Sequence, residues 1–139
     1  MRALITPLVA VVLLLASVAC GNDRVTAEGD GRFALPGVPV TSPSGSFEAH
    51  VNPSGNLSMY VSITDKRTGA EVYKDVENYS TSRLHGYTVG WLSSAPEQLW
   101  IYSADVGTSR VDRSAEGEWE KSRRIAKVEG HMPDEILNW

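Results

Sequence analysis

The chain has 139 residues, with 13 Lys and Arg against 17 Asp and Glu, three histidines and a single cysteine. A formal charge of −4 lacks the basic footprint of a nucleic-acid binder and does not draw the chain to anionic lipid by charge alone. One cysteine excludes a disulfide within the chain, so the core has to rest on apolar burial, for which four Trp, five Tyr and two Phe are available.

Met1 and Arg2 give a short positive start. Residues 3–19 are apolar apart from Thr6, Pro7 and Ser17, with Leu8 to Ala16 uninterrupted. Small residues in Ser17-Val18-Ala19 lead straight to Cys20. A positive start, an apolar stretch of ~7–15 residues and small residues before the cut are what a secretory signal needs. The leader resembles the bacterial lipoprotein signal class over residues 1–23, in which the cysteine after the cut becomes diacylated. Val18 and Ala19 fit that pattern, and Gly21-Asn22-Asp23 fit a polar exit from the membrane surface. Ser17 stands where the class prefers Leu, and Leu15 comes two positions early.

The resemblance implies removal of residues 1–19 and lipidation of Cys20. The lipid, palmitate or a similar chain, then holds the protein on the extracytoplasmic side of a bacterial cell membrane. Acylation also removes a free thiol that is a liability in an oxidising compartment. Two other outcomes stay open: cutting by an ordinary signal peptidase at the same place, or an uncleaved anchor. The anchor is disfavoured because a spanning helix wants ~20 apolar residues and this run is shorter and carries Pro7.

After the cut, 120 residues remain, with 12 Lys and Arg against 17 Asp and Glu, a formal −5. That length suits one domain with a modest core. Residues 20–32 form the lipidated tether: Gly21 to Gly31 is polar and free of aromatics, with a mean reach near ~20 Å for such a flexible segment. Residues 33–139 form a single β-rich extracytoplasmic domain. Phe33 to Pro43 carries three prolines and reads as an extended lead-in or an edge.

Ser44-Gly45 marks a turn before a short strand from Phe47 to Val51, and Asn52-Pro53-Ser54-Gly55 marks another. Leu57, Met59, Val61 and Ile63 alternate with Ser58, Tyr60, Ser62 and Thr64, the period of a half-buried strand. Asp65 to Gly69 reads as a hairpin loop, with a return strand over 70–76 that points Val72 and Ala70 inward. Residues 78–86 read as a polar loop. Tyr87, Val89 and Trp91 alternate in the next strand. After a turn at Ser93 to Glu97, Leu99 to Ser103 is the most apolar strand. Asp105-Val106-Gly107 turns the chain again. Residues 118–128 fit strand or helix equally. Pro133-Asp134-Glu135 ahead of Ile136 and Leu137 reads as a helix start, with proline and acids in the first turn.

The run from Ser42 to Ala49, the Met59–Thr64 strand and the following Asp65-to-Gly69 turn resemble one blade of a TolB-like or WD40-like propeller. Val89 to Ser94 and Leu99 to Ser103 repeat the opening of that pattern. Two such units cannot close a propeller, which needs at least four blades of ~40 residues. The fold class predicted is therefore mostly β: a small antiparallel sheet folded as a sandwich or half-open barrel, with a blade-like meander and a short C-terminal helix.

No motif for chemistry is complete. Serines are many, but there is no Gly-x-Ser-x-Gly elbow. His50, His85 and His131 are scattered: His50 reads as a sheet residue, His85 as an exposed loop residue and His131 as a turn residue. There is no His-Glu-x-x-His motif, cysteine pair or calcium loop, and Asp105, Gly107 and Asp112 read as ordinary turn residues. No metal or cofactor is expected. Glu116, Glu118 and Glu120 share one face and read as a solvated edge strand guarded by charge.

Aromatic residues are the best interaction signal. Tyr60, Tyr87, Trp91, Trp100 and Tyr102 come from neighbouring strands, and together they are the candidate binding patch for protein or glycan. The opposing reading is a sheet covered on both sides, with these rings in the core. The function expected is that of a small binding or interaction domain anchored at the cell envelope, not an enzyme. Its partners would be the membrane, through the lipid, and an envelope or extracellular protein or glycan. An immunity-type or inhibitor lipoprotein that blocks an incoming enzyme or toxin is one alternative. A small hydrolase is the other, and it requires a pocket that brings His85 or His50 within ~2.6–3.2 Å of a serine and an acid.

Overall fold

The computed structural model describes residues 31–81, 86–122 and 133–137. The first sheet holds β1 (Val40–Thr41), β2 (Phe47–Pro53), β3 (Ser58–Asp65), β4 (Glu71–Lys74) and β5 (Tyr79–Ser80). β1 to β4 lie in sequence order, and β5 pairs with the start of β3, beyond the stretch that β4 occupies. The second sheet is a meander of β6 (Tyr87–Leu92), β7 (Ala95–Ser103), β8 (Gly107–Arg113) and β9 (Trp119–Ser122). All strand pairs are antiparallel. One short helix, α1 (Asp134–Leu137), follows with acids in its first turn.

The alternation read along the chain decides which side chains face inward. Phe47, Ala49 and Val51 of β2 and Met59, Val61 and Ile63 of β3 are buried. They meet Val89, Trp91, Leu99, Ile101 and Val111 of the second sheet in one apolar cluster. Two small antiparallel sheets that share an inner layer in this way make a sandwich-like fold with no closed barrel. At one end of the sandwich the Phe47 ring stands edge-on to Trp119 at 5.1 Å, with Trp91 at 6.0 Å from the same indole. Offset or edge-on rings of this kind add to the area they bury.

Residues 33–38 lie against both sheets. The Ala34 amide donates to the Val89 carbonyl at 2.8 Å, Phe33 bridges to Gly90, and Pro36 bridges to Val51. Gly90 is the reason the segment can sit so close. A Cβ there would stand 2.8 Å from Cδ1 of Phe33 and 3.3 Å from the Arg32 carbonyl oxygen. The Trp91 indole N–H donates to the Val40 carbonyl at 2.9 Å, which fastens β1 of the first sheet to β6 of the second.

Several local expectations are corrected. Leu57 does not continue the inward row of Met59, Val61 and Ile63. It sits in the turn before β3, exposed and with φ 54°. Tyr73 packs inward because it is level with the inward-facing Ile63, so its neighbour Val72 takes the other face, and Ala70 lies exposed just ahead of β4. The loop expected over 78–86 contains β5, and its Tyr79 is completely buried. β7 starts at Ala95, earlier than Leu99, so the turn before it is only Ser93-Ser94. Trp119–Ser122 is strand, and residues 123–128 lie outside the described residues.

Candidate functional site

The five aromatics of the expected patch do not come together on one surface. Cross-strand partners point to the same face of a sheet, and the β6–β9 register therefore sorts them. Trp91 is level with Leu99 and Val111, inside the sandwich, where it is buried. Tyr87, level with Ser103, packs on the same core, and burial raises its phenol above the usual tyrosine range. Trp100, level with Gly90 and Arg110, is on the opposite, outer face. Tyr60 belongs to the other sheet, where the Lys74 ammonium lies 4.7 Å from its ring centre. The reason is period two: Trp91 and Trp100 come from adjacent strands but from rows of opposite parity.

Trp100 and Tyr102 remain as an outer-face pair. Trp100 is nonetheless buried, because α1 brings Ile136 onto it and Phe33, Leu92 and Tyr102 surround the two. The helix is held there by Glu135, which accepts from the Ser93 amide and the Ser93 hydroxyl, both at 2.6 Å. Beside this small second core runs a chain of polar contacts. The Trp100 indole donates to Gln98 Oε1 at 2.9 Å, and Gln98 Nε2 donates to Asp112 Oδ1 at 2.7 Å. Arg110 Nε donates to Asp112 Oδ2 at 2.6 Å, with its guanidinium 5.9 Å from the Trp100 ring centre. Tyr102, Gln98, Arg110 and Asp112 are half-buried, so this ledge presents ring edges, one cation, one carboxylate and one amide to a ligand. An open cleft of about 200 Å³ adjoins it, with Phe33, Val40, Trp91 and Ile136 in its walls and Arg32 and Glu135 among its polar groups.

The strongest electrostatic feature was not legible in the sequence. Lys121 of β9 reaches the loop after β4 and donates to both oxygens of Asp75, to Glu77 and to the Tyr79 hydroxyl. Tyr79 in turn donates to Asp75 Oδ2 at 2.7 Å. The Tyr79 phenol is pushed far above its ordinary value, first by burial and then by Asp75. A smaller opposing influence comes from Ser109, although its hydroxyl makes no hydrogen bond of good geometry. The one trace of it in the sequence is the alternation of Asp75, Glu77 and Tyr79, which does not point to Lys121.

The remaining chemistry-bearing residues stay apart. His50 lies on the outer face of β2, with Nε2 3.8 Å from Glu48, and no serine is hydrogen-bonded to it. His85, His131 and Cys20 lie outside the described residues. Asp105 accepts from the Ser80 amide and the Ser103 hydroxyl at one end of β8, whereas Asp112 sits toward the other end on Arg110. Among the described residues no three metal-ligating side chains gather. Comparison with protein-family models, with curated proteins and with solved structures finds no match for this chain.

Proposed function

We propose that this protein is an envelope lipoprotein, tethered through Cys20, whose sandwich-like domain is a binding or interaction module rather than an enzyme. The observation that carries the reading is the apolar leader that stops on Cys20, followed by a polar segment without aromatics. The domain geometry suits suspension from one point. Gly31, the first described residue, closes the polar segment and lies beside Ser93 and Glu135 at one end of the sandwich, so the opposite end faces away from the anchor. An acidic domain of this size, held near a membrane by lipid, meets partners that arrive at or reside in the envelope, either protein or glycan.

The mass of the mature N-terminal peptide from native membranes tests the reading directly. A diacylated Cys20 supports it, and Cys20→Ser then releases the protein into the soluble fraction. An unmodified Cys20, an intact Met1, or membrane retention of Cys20→Ser overturns it.

A further inference from the structure

One cluster joins the two sheets through groups that can react with each other. Asp75 follows β4, and its amide donates to the Val61 carbonyl at 2.8 Å, which holds it against the middle of β3. Lys121 of β9 is level with Val111, a residue of the core, so its side chain enters between the sheets. There Nζ stands 3.0 and 2.8 Å from the two carboxylate oxygens of Asp75. A nitrogen this close to both oxygens is about 3 Å from Cγ, the separation of a near-attack pair. The Asp75 side chain is 0% exposed and that of Lys121 8%, so bulk water does not compete for either.

Two further residues complete the set. Glu77, 30% exposed, also accepts from Lys121 Nζ. One carboxylate already balances the charge of Lys121. The second gives the nitrogen a proton acceptor that is not the group under attack, with a path to solvent. Each Asp75 oxygen also has a donor besides Lys121. Oδ1 accepts from the Glu77 amide at 3.0 Å, and Oδ2 accepts from the Tyr79 hydroxyl at 2.7 Å. Burial, and then Asp75, raise the Tyr79 phenol, so it remains a donor at neutral pH. Fixed donors on a carboxyl group stabilise negative charge that develops there.

We infer that Lys121 and Asp75 condense to an amide, with Glu77 as the proton carrier. Until then the two are held as an ion pair. A proton passes from the Lys121 ammonium to Asp75 Oδ2, leaving an amine and a carboxylic acid. Nζ attacks Cγ, the C–N bond forms, and the electron pair of the C=O bond moves onto Oδ1, which the Glu77 amide holds. Glu77 takes a proton from the nitrogen and returns it to Oδ2. The pair on Oδ1 re-forms the carbonyl, the Cγ–Oδ2 bond breaks, and one water leaves. Nothing is oxidised or reduced, and Glu77 ends as it began.

The product joins residues 46 positions apart and bolts the loop after β4 of the first sheet to β9 of the second. A chain whose single cysteine excludes an internal disulfide gains in this way a covalent tie that does not respond to redox conditions. The inference does not depend on lipidation of Cys20.

The test is a tryptic digest of the full protein, isolated from cells that make it and unfolded in urea. Trypsin cuts after Lys74, Arg83, Arg113 and Arg123, and it cannot cut after Lys121 once that amine is spent. The expected product is a branched peptide of residues 75–83 and 114–123, one water lighter than the two together. Fragmentation should place the link on Asp75. Lys121→Arg, which keeps the cation without the amine, should give no branched peptide. Glu77→Gln should still melt cooperatively but form the bond about 100-fold more slowly, the lower end for losing a positioned acid or base. A free Lys121 amine with cleavage after it in the native protein, a link at Glu77 instead of Asp75, or an undiminished rate in Glu77→Gln overturns the inference.

Discussion

Lys121, on the last strand of the second sheet, donates to both carboxylate oxygens of Asp75, at 3.0 and 2.8 Å, in the loop that leaves β4 of the first sheet. The Asp75 side chain is fully buried and that of Lys121 nearly so. A pair this dry is a weak source of net stability but a strong lock on arrangement, because neither charge can be left alone. It ties the loop after β4 of the first sheet to the edge strand β9 of the second.

Lys121→Met should therefore destabilise the domain by about 3–5 kcal/mol, the range for breaking a buried pair by removing one partner. Urea unfolding measures it. Asp75→Asn combined with Lys121→Met should cost clearly less than the two single changes added together, since no charge is then stranded. Strict additivity would show that the two residues do not act as a pair.

Tyr79 makes stability depend on pH in the alkaline range. Its folded phenol titrates above its ordinary value of about 10, so the folded state keeps a proton that the unfolded state releases. The stabilisation is fully present below pH ~10 and declines as pH rises beyond it. Tyr79→Phe should be less stable at neutral pH, having lost the hydroxyl that bridges Asp75 and Lys121. It should also lose stability less steeply above pH ~10. Equal slopes for the two proteins would contradict the assignment.

Gly90→Ala tests the seat of residues 32–34. The added methyl meets Phe33 and the Arg32 carbonyl, and overpacking of this kind costs about 1–3 kcal/mol. Phe33→Ala removes the closest obstacle, so Gly90→Ala should cost less in that background. Thermal melts of the four proteins decide it.

Ile101 is fully buried on the central strand β7. Ile101→Val should cost about 0.5–1.5 kcal/mol, whereas Ile101→Asp strands a charge in the core and should leave no cooperative melt. A normal melt for the aspartate variant would place residue 101 outside the core.

Much of the inner layer is readable because period-two alternation is local. Phe47, Ala49 and Val51, then Met59, Val61 and Ile63, then Val89, Ile101 and Val111 occupy it. The alternation also separated Trp100 and Tyr102 from Leu99 and Ile101. It could not say whether the outer pair met water. That depended on Ile136, 36 residues further on, and on Phe33 entering through the space above Gly90. Tyr79 was hidden for a related reason. A two-residue strand has no pattern of its own, and its burial comes from pairing with Ser58 and Met59.

By itself the sequence determined the apolar run that stops just before Cys20, the acidic balance, the β character and the alternation along β3, β6 and β7. These depend on composition or on neighbours two positions apart. Only the tertiary structure decided that Trp91 and Trp100 face opposite sides, that Lys121 closes on Asp75, and that Phe33 and Ile136 cover Trp100. Each of these joins residues far apart in the chain, so it is set by strand register and sheet packing rather than by any local preference.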